Sequence, residues 1–182
     1  MRNLMLFVII VLVGAAVYLV SSSTSRSPGE WVNSVVVGDV APDFQLEDTK
    51  GKKVSLSDLQ GKVVMVNLWA TWCPPCIEEM PSMERLHEVM AGEDFVMLAI
   101  NTEQNGRTVV PEFLQKTPYT FPILYDDKGV VQKLYGVYKF PESFIVGKDG
   151  KVVEKVIGPL DWSSSCLLYT SPSPRDLIAH LV

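Results

Sequence analysis

Cys73 and Cys76, separated by Pro74 and Pro75 and preceded by Trp72, are the residues of this chain best suited to chemistry. Two thiols three positions apart lie about one helical turn apart on one face, so their sulfurs can meet in a single disulfide. The pair follows the apolar run Val63 to Trp69 directly, where a strand gives way to a helix. A helix N-terminus carries unpaired N–H groups and a partial positive charge, which favour a thiolate on the first cysteine. Proline inside the motif suits a first helical turn, where its missing N–H costs little. The chemistry implied is reversible thiol–disulfide exchange, with Cys73–Cys76 as the redox-active disulfide and no separate cofactor. Glu79 lies three residues past Cys76 and neighbours it on the helix. On spacing alone it reads equally as a solvated first-turn carboxylate favoured by the helix dipole.

These residues need a strand before them and a helix after them. Lys62 to Trp69 is a nearly continuous apolar run, as in a central strand buried on both faces. From Pro75 to Met90, Ile77, Met80, Met83, Leu86 and Met90 recur at helical spacing, with Glu78, Glu84 and Glu88 outside. Upstream, Val40 to Leu46 alternates, Asp48-Thr49-Lys50-Gly51 turns, and Lys53 to Leu56 returns, which predicts a hairpin. Ser57 to Gly61 reads as a short helical turn ended by glycine. Downstream, Phe95 to Ile100 is a second buried strand, and a helix is predicted to start at Pro111 and run to Lys116. Val130 to Leu134 suggests a further short helix. Ser143 to Val146, a Gly147-Lys148-Asp149-Gly150 turn and Val152 to Ile157 predict a closing hairpin. Alternating strands and helices closed by a hairpin predict an α/β fold with a mixed central sheet.

The chain has 182 residues, a formal net charge of −5 and a pI near 5.0, a balance with no basic footprint for nucleic acid. Three cysteines, two of them in one CxxC, make no disulfide framework and no metal set. After residues 1–3, Leu4 to Val20 is apolar throughout apart from Gly and Tyr, with a single Arg2 before it. About 17 residues at ~1.5 Å each reach roughly 26 Å, slightly short of a ~30 Å hydrocarbon core. The segment is expected to be an uncleaved anchor, with Arg2 cytoplasmic and everything after Val20 outside; a cleaved signal is the competing reading. Residues 21–35 form a Ser/Pro/Gly-bearing linker, and 36–165 the folded domain. Cys166 to Asp176 resemble one reading frame of a transposase-type sequencing adapter, and His180-Leu181-Val182 fits its constant segment beyond an index. Residues 166–182 are therefore expected to be an artefactual tail, in which Cys166 and His180 carry no function.

Four stretches together carry a family resemblance: Gly38 to Phe44, Asn67 to Cys76, Glu79-Met80-Pro81, and Tyr135 to Ile145. With them the chain resembles the thioredoxin superfamily. More narrowly, it is similar to membrane-anchored thiol–disulfide oxidoreductases of the TlpA/ResA type and their relative CcmG (DsbE), over about residues 36–162. The resemblance implies a thioredoxin-like fold with an N-terminal β-hairpin extension, an insert before the closing hairpin, and a final helix beginning near Ser163 that the tail replaces. It implies Cys73 as the attacking thiolate, more exposed than the resolving thiol Cys76, and Glu79 as the acid that moves protons to and from the buried thiol. Pro141 corresponds to the superfamily's cis-proline facing the CxxC, leaving Phe140 to pair with an extended substrate segment. Trp72, Pro74, Pro75 and Glu142 are the remaining candidates for substrate contact, and Trp69 is expected in the core. Asn67 stands where thioredoxin carries a buried acid; asparagine cannot relay a proton, which moves that role toward Glu79.

The activity implied is reduction of protein disulfides outside the cytoplasm, for example of apocytochrome c in cytochrome c maturation, with a thiol-relay membrane protein as electron donor. The alternative is a disulfide-donating oxidase or isomerase. A peroxiredoxin shares the Ala-Pro-Asp-Phe opening but needs Thr or Ser three residues before its reactive cysteine and a Pro further upstream. Here Ala70 and Val66 hold those places, so peroxide reduction is disfavoured.

Overall fold

The structure is a computed structural model, and residues 34–163 are described. The anchor over 4–20, nearly all of the linker over 21–35, the final helix expected near Ser163 and the tail over 166–182 lie outside the described residues. Among the described residues no helix is long and apolar enough to cross a membrane.

Seven strands form one mixed sheet: β1 (Gln45–Asp48), β2 (Lys53–Ser55), β3 (Val63–Trp69), β4 (Phe95–Asn101), β5 (Ile123–Tyr125), β6 (Glu142–Val146) and β7 (Val152–Ile157). Their spatial order is β2-β1-β5-β4-β3-β6-β7. β3, β4 and β5 run parallel, while β6 pairs antiparallel with β3, placing Asn67 opposite Ser143 and Leu68 opposite Glu142. β3 is central and buried at all seven positions, which is why its sequence shows no polar face. The helices are α1 (Pro74–Val89), α2 (Gly106–Lys116) and α3 (Val130–Leu134), with a 3-10 turn over Ser57–Leu59.

Alternation along β3 divides the core in two. Val63, Met65 and Trp69 face α1 and α2, packing with Met80, Met83, Leu86, Val110 and, from the segment after β7, Trp162. Val64, Val66 and Leu68 face the other way, onto Phe44, Val131, Tyr135 and Phe144. The Tyr135 hydroxyl donates to the Pro42 carbonyl at 2.9 Å, binding the Ala41-Pro42-Asp43 stretch to the loop that leads toward Pro141.

The fold agrees with the α/β, mixed-sheet expectation, and both hairpins lie where the turns predict them. Three elements differ. β1 begins at Gln45 rather than Val40, and before it only Val40 makes an isolated bridge, to Lys151. α2 starts at Gly106, five residues before Pro111, because Asn105 already accepts from the Thr108 and Val109 N–H groups and Val110 is fully buried. Pro111 therefore sits inside a helix held by packing, despite the hydrogen bond it removes. β5 has only three residues between Pro122 and Asp126, too few for any periodicity to mark it.

Candidate active site

Cys73 ends the turn out of β3 and is the N-cap of α1, with Pro74 and Pro75 in the first turn. Its N–H donates to the Ala70 carbonyl at 3.2 Å, and its sulfur accepts from the Cys76 N–H at 3.3 Å. Cys73 and Cys76 are joined by a disulfide with Cα atoms 5.3 Å apart. Both are buried, Cys73 at 4% exposure and Cys76 at 0%, so the first cysteine is the outer one by a narrow margin. The helix N-terminus thus aims a backbone donor at Cys73 Sγ, the arrangement that favours negative charge on that sulfur after reduction.

The loop before β6 meets this turn. The Phe140–Pro141 peptide is cis, and the Phe140 ring stands edge-on to Trp72 with centroids 5.9 Å apart. Trp72 is 66% exposed, so it stands on the surface beside the disulfide rather than buried against it, whereas Trp69 is fully buried. Pro74 is exposed and Pro75 half-buried. Cys73, Trp72, Pro74, Phe140 and Pro141 therefore gather at one end of the sheet.

Glu79 lies inside, only 3% exposed, on the α1 face. Its Oε1 accepts from Asn67 Nδ2 at 2.8 Å; its Oε2 accepts from the Leu160 N–H at 3.2 Å and Trp162 Nε1 at 3.3 Å. Burial pushes this carboxyl above the usual carboxylate range, and the three hydrogen bonds, from Asn67, Leu160 and Trp162, pull only partly the other way. Asn67 spends its second amide hydrogen on Ser143 Oγ at 2.9 Å, and its buried Oδ1 meets no hydrogen-bond partner among the described residues. A carboxyl raised by burial, one helical turn along from Cys76, is suited to carrying a proton.

Glu142 is placed elsewhere. It follows Pro141 but turns to the opposite face of β6, buried, with Lys155 Nζ 2.9 Å from its Oε1. The Glu142 carboxylate is thereby committed to Lys155 rather than to the Trp72–Phe140 pair. Sequence reasoning also passed over Ser143, which fixes Asn67, and Trp162, which holds Glu79. The period-2 alternation of β6 could have indicated Ser143; nothing near Trp162 signals its role. No group of His, Cys, Asp and Glu among the described residues is arranged to hold a metal ion.

Known proteins resemble this chain in sequence and in fold. The AhpC/TSA family model matches residues 37–155. Thiol-disulfide oxidoreductase ResA of Bacillus thuringiensis subsp. konkukian is 37% identical over 122 residues, 67% of this chain and 70% of the relative. ResA of Geobacillus thermodenitrificans is 34% identical over 160 residues, covering 88% of this chain and 87% of its own. A crystal structure from Chlorobium tepidum that carries the name thiol:disulfide interchange protein DsbE superimposes with a TM-score of 0.69 at 33% identity. It spans 82% of this chain and all of the other. With a disulfide-linked CxxC capping α1 and these relatives, the chain belongs to the AhpC/TSA family and, within it, to the thioredoxin-like thiol–disulfide oxidoreductases of the ResA/DsbE type.

Proposed function

We propose that this protein reduces disulfides of protein substrates outside the cytoplasm, with Leu4 to Val20 holding it to the inner membrane of a bacterium. The observation that carries this reading is the Cys73–Cys76 disulfide at the α1 N-terminus, with the buried Glu79 one turn further along. In the reduced protein the Cys73 thiolate attacks one sulfur of a substrate disulfide. A Cys73–substrate disulfide forms, and the other substrate sulfur leaves as a thiolate that takes up a proton. Cys76 then gives up its proton to Glu79 in its ionised form, three residues further along the helix. The Cys76 thiolate attacks Cys73 Sγ and the second substrate thiol departs. Two electrons have passed to the substrate, and the Cys73–Cys76 disulfide remains for a dithiol donor to reduce. Phe140 main chain, beside cis-Pro141, aligns an extended substrate segment, with Trp72, Pro74 and Pro75 at its sides. Apocytochrome c is the substrate class and a thiol-relay membrane protein the donor that the family resemblance suggests.

Peroxide reduction is not favoured, since Ala70 and Val66 stand where that chemistry needs a hydroxyl residue and a proline. The opposite direction of electron flow uses the same groups, so potential decides between them. The experiment is a redox titration of the Cys73–Cys76 pair in the full chain. A value near or below roughly −250 mV, close to thioredoxin, is expected; one near about −120 mV makes the protein a disulfide donor and overturns the reductase reading. In the same assay a Cys73→Ser variant is expected to lose all exchange.

A further inference from the structure

The loop between β4 and α2 sets a carboxylate against the segment that leads into Cys73. Glu103 Oε2 accepts from the Thr71 N–H at 2.6 Å and from Asn101 Nδ2 at 3.0 Å, while its Oε1 accepts from the Thr71 hydroxyl at 3.0 Å. The adjoining Thr102 N–H donates to the Trp69 carbonyl at 3.2 Å. The Glu103 main chain is itself fixed: its N–H donates to Asn101 Oδ1 at 3.2 Å, and its carbonyl accepts from the Gly106 N–H at 2.9 Å. A Cβ at Gly106 would stand 2.4 Å from Asn101 Oδ1, so only glycine leaves room for that amide. Thr71 is the middle of the turn from Ala70 to Cys73, which closes through a single 3.2 Å backbone bond. Hydrogen bonds to a carboxylate are among the stronger ones available to hold such a turn.

We propose that Glu103 is a positioning residue for thiol exchange. By taking both donors of Thr71 it fixes the turn that delivers Cys73 to the N-cap of α1. The sulfur depends on that placement, because a hydrogen bond weakens steeply with misalignment and the Cys76 N–H already lies 3.3 Å away. Loss of the strap loosens Cys73 from the helix donors and makes its thiolate harder to form. A carboxylate acting through charge alone has the opposite sign, since a negative neighbour disfavours a thiolate. Geometry and charge are therefore separable in one measurement. The charged groups on the surrounding elements include Glu78 and Glu79 of α1, Arg107 of α2, Lys139 before Pro141, Glu142 of β6 and Lys155 of β7. All are left unaltered by the substitutions below.

The inference rests on the reading of Cys73 as the attacking thiol, and the test separates the two. In the reduced full chain, the rate of iodoacetamide alkylation is followed against pH by tandem mass spectrometry, whose fragment ions locate the label on Cys73 rather than Cys76, while Cys166 falls in a separate peptide. Glu103→Ala is expected to move the Cys73 profile to higher pH and to slow alkylation at pH 7 by roughly threefold or more. Glu103→Gln, which keeps an acceptor for the Thr71 N–H, is expected to stay close to wild type. Thr71→Val removes only the hydroxyl bond and is expected to shift the profile the same way by less. A Glu103→Ala profile that is unmoved, or moved to lower pH, overturns the proposal. Should that variant fail to fold, a Thr71→Val profile identical to wild type overturns it instead. A wild-type Cys73 that titrates as an ordinary thiol near ~8.5 overturns the reading of Cys73, and this proposal with it.

Discussion

Glu79 and Glu142 are both buried beside the β3–β6 pair, on opposite faces of the sheet, and they are satisfied in opposite ways. Glu142 has a full positive charge against it: Lys155 Nζ at 2.9 Å, which also donates to the Val35 carbonyl and stands 5.1 Å from the centre of the Phe144 ring. Glu79 has only neutral donors, an amide, a backbone N–H and an indole. A buried carboxylate matched by a partly buried cation is a brace, fixed while the fold is intact. One compensated by dipoles alone, and raised by burial, sits where its protonation can follow chemistry next to it. On the function proposed above, two residues of the same type divide structural and chemical work by what they face.

The sharpest way to break this contrast is Lys155→Met, which leaves Glu142 buried without its cation. A loss of roughly 3–5 kcal/mol is expected in urea unfolding, with the redox potential little changed. A loss under about 1 kcal/mol would erase the distinction. Glu79→Gln comes next. Because the folded carboxyl lies above its unfolded value, its favourable contribution is fully present below the ordinary value of about 4.3 and is lost as pH rises through the folded value. The glutamine variant never ionises, so its stability relative to wild type should rise with pH across that window and then level off. The Asn67 amide can turn its unpartnered oxygen toward the new NH2 group. Disulfide exchange should slow roughly tenfold or more in the same variant, the low end of general acid–base effects. An exchange rate equal to wild type would make Glu79 a second brace. Lys148→Ala is the smallest, breaking a 2.9 Å pair with Asp94 in which both side chains are more than half exposed. About 0–0.5 kcal/mol is expected; a loss as large as that of Lys155 would mean that burial does not separate these pairs.

Much of this was legible in the sequence, for identifiable reasons. The CxxC, the continuous apolar run of β3 and the Gly147–Gly150 turn are local signals, and each names its element. Glu79 is reachable from helical spacing, and the family resemblance gives it a role. What spacing cannot supply is which face a residue takes at a strand end. Glu142 reads as part of the cis-proline loop, yet the alternation of β6 turns it away and gives Ser143 the inward position. Trp162 and Glu103 escape for another reason. Their partners, Glu79 and Thr71, are 83 and 32 residues away, and nothing local marks such pairings. α2 starts earlier than Pro111 suggests because proline marks helix starts well but says nothing of a preceding turn held by the buried Val110.

The antiparallel register of β3 with β6 also sets an order in time. The two cysteines and the strand before them are made early, but the cis-proline loop and the Ser143 hydroxyl that steadies Asn67 lie 76 residues beyond that asparagine. Closing so long a loop comes before any of its contacts can form. A chain still emerging from synthesis, halfway through its length, therefore carries the two cysteines without the groups that surround them in the folded protein. The site is complete only once the far hairpin has docked, so its surroundings form last although its two cysteines come early.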